Sequence, residues 1–165
     1  MRKAAALLCT LASFSSVASS NYQAVAVSDD WSVGLWTNPD TKERTCVVAP
    51  TTMNKRTIPA IVFIPKAPGG ARANLIASGS FEGIGATYTV DNSSSVTVGL
   101  KNRKVPYGHL VTDHEYQLML ERFKDGLTVT YEVFSSNKFV EGGKRTMSLD
   151  GFRTAYELAQ RCQWY

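Results

Sequence analysis

LTVTYEVF, residues 127–134, is the stretch of this sequence that most clearly indicates its fold. Every second position in it is apolar: Leu127, Val129, Tyr131 and Val133. Two threonines and a glutamate stand between them, so the side chains alternate with a period of two. This period is typical of a β-strand with one buried face and one solvated face. We therefore predict a half-buried strand here, in a sheet that is mainly antiparallel.

Similar strand signals recur upstream, separated by turns rich in Gly, Pro and Asn. They cover residues 31–36, 43–50, 58–64, 74–79, 86–90 and 96–100. The run 58–64 is apolar on both faces, which is typical of a central strand covered on both sides. Within residues 43–50, Cys46 and Val48 share one face. Asp29 and Asp30 precede the first of these runs, and we expect them to lie in a frayed terminus.

Two segments carry a helical signal. Thr112 and Glu115 match a capping box, and Gly126 is placed to end the helix that follows. Apolar residues in this segment repeat at intervals of three and four: Tyr116, Met119, Leu120 and Phe123. The second helix begins after Asp150 and places one stripe on its inner side: Phe152, Ala155, Tyr156, Ala159 and Cys162.

These signals together predict a mainly β fold. We expect an antiparallel β-sandwich or a barrel-like sheet with two α-helices. One helix should precede the penultimate strands, and the other should lie at the C-terminus.

Residues 1–20 have the composition of a secretory signal peptide. A basic start precedes an apolar stretch at residues 4–14, and small residues then permit cleavage after Ala18 or Ser20. We therefore predict an exported protein that is periplasmic, on the cell surface or secreted. Residues 21–165 are expected to form a single β-rich domain. No apolar run is long enough for a transmembrane segment.

The net charge of the 165-residue chain is +4. Loss of Arg2 and Lys3 with the signal peptide lowers this charge to about +2. So small a charge on an exported chain argues against a nucleic-acid partner.

Three cysteines occur in the chain, and Cys9 belongs to the predicted signal peptide. The destination of an exported chain is oxidising, so Cys46 and Cys162 are expected to pair as a disulfide. Such a bond would fasten the C-terminal helix to an early strand.

Candidate catalytic and metal-binding patterns are weak throughout. His109 and His114 are five residues apart across a helix start, a spacing that does not place both imidazoles on one helix face. Residues 79–83 lack the register of a serine nucleophile turn, and paired cysteines could not act as nucleophiles. The carboxylates are scattered. We therefore predict a non-enzymatic protein with no catalytic residue, no metal site and no cofactor.

One local concentration of charge remains, in the segment 101–109. Its candidate binding residues are Lys101, Arg103, Lys104 and Tyr107. Three cations and a tyrosine could dock an anionic partner, such as an envelope or host-surface phosphoglycolipid or an acidic protein surface. The alternative is an ordinary solvated connection that leads into the first helix.

The segment 147–155, Met-Ser-Leu-Asp-Gly-Phe-Arg-Thr-Ala, resembles the S-L-x-G-F-x-x-A segment that closes the invasion-associated locus B family of exported bacterial proteins. The resemblance implies a β-rich periplasmic or surface protein without known catalytic residues, associated with entry into host cells. Many members carry a further C-x-x-x-G-C group, which is missing between Cys46 and Cys162. The chain is then either a divergent member with one remaining bridge or only superficially similar.

A ligand-carrying barrel is the second hypothesis. Gly34-Leu35-Trp36 is similar to the G-x-W opening of lipocalins, and Thr112-Asp113 is similar to their T-D-Y. A closed barrel with an apolar cavity would indicate a carrier of a small apolar ligand. A filled sandwich would instead favour a module that binds a protein or a surface.

Overall fold

A computed structural model describes residues 22–37, 42–54, 60–67, 70–76, 83–99, 108–109, 113–135 and 144–162 of the chain. Within these ranges the strands and helices follow in this order: β1 (Tyr22–Ser28), β2 (Trp31–Thr37), β3 (Arg44–Pro50), a short 3₁₀ turn (Thr51–Asn54), β4 (Ala60–Ile64), β5 (Arg72–Ile76), β6 (Gly83–Val90), β7 (Val96–Gly99), β8 (Gly108–His109), α1 (Asp113–Asp125), β9 (Thr128–Ser135), β10 (Lys144–Ser148) and α2 (Phe152–Arg161).

The described strands form two separate antiparallel sheets. Sheet A has the order β1-β2-β3-β4-β5, with the two-residue β8 added beside β5. Sheet B has the order β10-β9-β6-β7. The mainly β prediction with two helices is confirmed, and α1 does precede the last two strands. The barrel-like alternative is wrong, because the described strands of the two sheets do not join into a closed barrel.

The stretch that predicted the sheet forms β9, with one correction. Val129, Tyr131 and Val133 are buried as expected, but Leu127 is 77% exposed and lies outside the strand. The reason is that β9 begins only at Thr128, so the side chain before it is not held on the buried face.

The run predicted to be a doubly covered strand forms β4, in which every side chain is buried. Ile61 and Phe63 belong to the main core, whereas Val62 and Ile64 belong to a smaller cluster on the opposite face of sheet A. Successive strand residues point to opposite faces, so β4 is central because both of its faces are apolar.

Three of the described strands were not predicted from the sequence: β1, the two-residue β8, and β10. β1 precedes the strand that begins at Trp31, and β10 follows β9. Asp29 and Asp30 are therefore not at a frayed terminus but form the turn between β1 and β2, with Asp29 at φ 51°. An irregularity in the pairing of β1 with β2, between Ala24 and Ala26, shifts the side chains by one position. This shift hides the period of two in the sequence.

The main core joins the inner faces of both sheets to the two helices. The apolar stripes predicted for α1 and for the body of α2 are buried. At the centre the ring of Phe152 lies 4.8 Å from that of Trp31 and 4.9 Å from that of Phe63. Phe123 of α1 lies 5.0 Å from Phe63. The predicted cap of α1 at Thr112 lies outside the described residues.

A disulfide joins Cys46 in β3 to Cys162 at the end of α2, with the two Cα atoms 6.3 Å apart. This is the disulfide pair that was expected from the sequence. Because 116 positions separate the two cysteines, the bond shortens the free length of the unfolded chain considerably. In the folded chain it fastens the end of α2 to sheet A.

Gly151 gives a test of how the C-terminal helix is seated. It has φ 80°, and a Cβ added there would overlap the backbone carbonyl of Ser28. We expect Gly151→Ala to lower the free energy of unfolding by more than about 2 kcal/mol, because strain and overlap add. Urea unfolding would measure this change.

Two other glycines serve as matched controls. Gly70 also has a positive φ but open space around it, so Gly70→Ala should cost only the conformational strain, about 1–2 kcal/mol. Gly99 has open space and no positive φ, so Gly99→Ala should change stability by less than about 0.5 kcal/mol. Equal effects at Gly151 and Gly70 would contradict the close approach to Ser28.

Candidate functional site

The residues predicted to bind an anionic partner lie outside the described part of the chain: Lys101, Arg103, Lys104 and Tyr107. Their role stays a prediction. The backbone of His109 pairs with that of Asn74 at the edge of sheet A, and His114 is exposed on α1. Within the described ranges, no three His, Cys, Asp or Glu side chains come together as metal ligands.

A groove of about 510 Å³ opens where four elements meet. The end of α1, the start of β9, the end of β10 and the start of α2 converge there. We call it the motif groove, and its lining residues are Lys124, Gly126, Leu127, Ser148, Leu149, Asp150, Gly151, Arg153 and Thr154. Most of the S-L-x-G-F segment singled out in the sequence therefore lines a single surface feature.

Hydrogen bonds hold the first half of this segment in place. The carbonyl of Ser148 accepts a hydrogen bond from the Trp31 indole at 3.1 Å, and its hydroxyl accepts one from the Asp150 amide at 2.9 Å. The amide of Leu149 donates to the carbonyl of Leu127 at 2.9 Å, and the Leu149 side chain is buried. The floor of the motif groove is thus tied to the core on one side and to Leu127 on the other.

The second half of the segment is held by packing. Gly151 lies against the backbone of Ser28, where no larger residue fits. Phe152 and Ala155 are fully buried, Phe152 within the aromatic cluster. The Ser, Leu, Gly, Phe and Ala positions of the S-L-x-G-F-x-x-A pattern therefore each help to hold the start of α2 in place.

Two cationic side chains of the motif groove are engaged with neighbouring groups. Arg153 donates to the carboxylate of Asp125 and to the carbonyl of Lys124, which ties the start of α2 to the end of α1. The ammonium of Lys124 lies 4.6 Å from the centre of the Tyr156 ring, a cation–π contact. These contacts position both cations at the groove, where Arg153 is exposed and Lys124 is half-buried.

Asp91 fixes the position of Leu127. Its carboxylate accepts hydrogen bonds from the amides of Thr128 at 2.8 Å and Leu127 at 3.1 Å, and from the Thr128 hydroxyl at 3.2 Å. These donors, the Thr128 amide first, lower the pKa of Asp91 below its ordinary value. The side chain of Leu127 is consequently held at the rim of the groove rather than packed beneath β9.

A second surface covers the outer face of sheet B, where a shallow depression of about 420 Å³ is lined mainly by hydroxyl side chains. Thr130 and Thr146 are directly opposite each other in β9 and β10, and their hydroxyls lie 2.7 Å apart. Glu132 and Lys144 are the next opposite pair on this face of the sheet. This face is the solvated side of the alternation from which the strand was predicted.

A buried pair of phenols connects the two helices. The hydroxyls of Tyr116 and Tyr156 are 2.8 Å apart. Burial, followed by the hydrogen bond to Tyr156, raises the pKa of Tyr116, so the pair stays neutral at any physiological pH. We assign it to the packing of α1 on α2.

Only part of the motif groove was predicted from the sequence. Residues 147–155 were singled out by resemblance, but Leu127 was assigned to the core. One signal could have corrected this: Leu127 directly follows Gly126, the residue expected to end α1, and so belongs to the connection. The contribution of Asp91 has no local signal, because it lies 36 positions away from Leu127.

Among solved structures, the chain is similar to the crystal structure of invasion associated protein B from Bartonella henselae. The two share 16% sequence identity at a TM-score of 0.49, over 83% of this chain and 95% of that chain. No protein-family profile matches the chain, and no curated protein sequence matches it. This is a weak structural relationship from which no function follows, and membership in the family that residues 147–155 resemble stays a prediction.

No helix within the described ranges is long and apolar enough to cross a membrane.

Asp91 allows a test of the contacts that position Leu127. Its pKa is lower in the folded chain, so the ionised carboxylate stabilises the fold above its ordinary pKa of 3.8. That contribution is lost as the pH falls through the lower pKa of the folded state. We expect Asp91→Asn to be less stable than the original protein at neutral pH and the difference to shrink below about pH 4.

Urea unfolding of both proteins across this pH range would measure the difference. A difference that stays constant down to about pH 2 would show that the charge of Asp91 is not what binds these amides.

Proposed function

We propose that the chain is an exported, non-enzymatic protein of the bacterial envelope that acts by binding a partner. Export is supported by the signal-peptide composition of residues 1–20 and by the disulfide between Cys46 and Cys162. A disulfide of this kind persists in the periplasm or outside the cell and is rare in a reducing cytoplasm.

The observation that carries the binding proposal is the exposed side chain of Leu127 at the rim of the motif groove. It is 77% exposed, and hydrogen bonds to Asp91 hold the backbone beneath it. An apolar side chain on a rigid support loses little conformational entropy when a partner covers it. Lys124 and Arg153 beside it supply charge at the border of the contact. We infer that the partner is a protein surface with an apolar centre and polar groups around it.

The cations of residues 101–104 extend this proposal to an anionic component of the envelope or of a host surface. The resemblance of residues 147–155 to the invasion-associated locus B family points to one setting, entry into host cells. In that setting the bound partner belongs to the host-cell surface.

The intact mass of the protein recovered from the producing cells tests export. We expect a mass that corresponds to cleavage after Ala18 or Ser20 and that lies about 2 Da below the reduced value, because one disulfide removes two hydrogens. Retention of the signal peptide together with two free thiols would contradict export.

Saturable binding of the labelled protein to intact host cells tests the motif groove. We expect Leu127→Ser to weaken binding by about tenfold, since a central apolar contact contributes roughly 1–2 kcal/mol. Leu158 is also an exposed leucine, 42% exposed on α2 and outside the groove. Leu158→Ser should therefore bind like the original protein.

The same assay separates the two parts of the proposed surface. Replacing Lys101, Arg103 and Lys104 by Gln should reduce binding at low salt and have little effect at high salt. Equal binding by the Leu127 and Leu158 variants would overturn the role of the groove.

Hydrolytic turnover that disappears on replacement of His109 or His114 would overturn the non-enzymatic proposal.

A further inference from the structure

Strand β1 forms an edge of sheet A. In the described part of the chain it pairs with β2 on one side, and no strand pairs with its other side. Its sequence, Tyr-Gln-Ala-Val-Ala-Val-Ser, contains neither a charged residue nor a proline. Natural edge strands are usually protected by lysine, by proline or by brevity, because unpaired backbone groups recruit another strand. At seven residues, β1 lacks all three, and the protection that it does carry is the irregularity between Ala24 and Ala26, which interrupts part of the edge.

Two valines on β1 are unusually exposed. Val25 is 45% exposed and Val27 is 66% exposed. Among the described residues the other large hydrophobic side chains exposed to this degree, Leu127 and Leu158, lie on different elements. Within the described residues, β1 therefore combines an unpaired backbone edge with exposed apolar side chains.

The other sheet edges in the described ranges are better protected. β10 carries Lys144 and Arg145. β8 has only two residues, and β7 has four residues with Val98 buried. These differences single out β1 as the edge open to pairing.

We propose that β1 pairs antiparallel with β1 of a second copy of this chain, so that the two A sheets join into one continuous sheet across a two-fold axis. An uncharged edge offers nothing to a charged partner, whereas an identical uncharged edge is complementary to it. A register centred on Ala26 places Val25 of each copy opposite Val27 of the other. Every contact is then made twice, as a two-fold interface requires.

The geometry also limits the size of the assembly. Pairing uses up the free side of β1 in both copies, so the dimer closes and does not extend into a fibre. The irregularity between Ala24 and Ala26 adjoins the axis, so only a few residues can pair regularly. The buried area is therefore small, and we expect a dissociation constant on the order of 100 µM.

Sedimentation equilibrium of the purified protein from about 10 µM to about 1 mM tests the proposal. The average mass should rise from that of the monomer toward that of a dimer. Val27→Lys should raise the dissociation constant at least about tenfold, because each lysine would face Val25 of the other copy beside the axis and the two like charges would repel. Leu158→Lys, which adds the same charge at an exposed position outside both β1 and the motif groove, should dimerise like the original protein.

Val27→Thr provides a second variant that keeps a β-branched residue in the strand and should weaken the dimer more mildly. Amide hydrogen exchange gives an independent measurement: protection of residues 24–28 should increase with protein concentration. A monomer at about 1 mM, or equal weakening by the β1 and control variants, would overturn the proposal. No external partner enters this experiment, so its outcome is independent of the proposed function.

Discussion

The contact of Phe152 with Trp31 is the interaction on which the rest of this structure depends. The two rings meet edge to face at 4.8 Å, and the Trp31 indole donates to the carbonyl of Ser148 just before the turn into α2. Edge-to-face pairs of buried rings contribute about 0.5–1.5 kcal/mol beyond the apolar area that they bury. Here one such pair joins sheet A, the end of sheet B and the C-terminal helix at a single point.

This arrangement shows what the residues of the S-L-x-G-F segment do in the fold. The residues of the S-L-x-G-F segment place the start of α2 against Ser28 and Trp31, and the disulfide to Cys46 holds the other end of the helix. A helix held at both ends supports the motif groove as a rigid surface. Binding then requires little reorganisation, which suits a protein whose proposed activity is recognition.

The agreement between sequence and structure was best where burial followed a simple period. The stripes of α1 and α2, the doubly covered β4 and the pairing of Cys46 with Cys162 were all expected from local pattern or from the cysteine count. The expectations were wrong where one residue disturbed the period. The irregularity in β1 concealed a strand, and the late start of β9 moved Leu127 from the core to the surface. Both surfaces proposed for binding arise at these two disturbances.

The sequence by itself determined the fold class, the helices, the central strand and the covalent tie, because alternation, helical spacing and residue type are properties of neighbouring positions. Only the tertiary structure decided which apolar side chains remain outside. The exposure of Leu127 depends on Asp91, 36 positions away, and that of Val25 and Val27 depends on β1 being the last of the described strands of its sheet. Strand order and long-range hydrogen bonds are set by the packing of the whole chain, and no local pattern in the sequence indicates them.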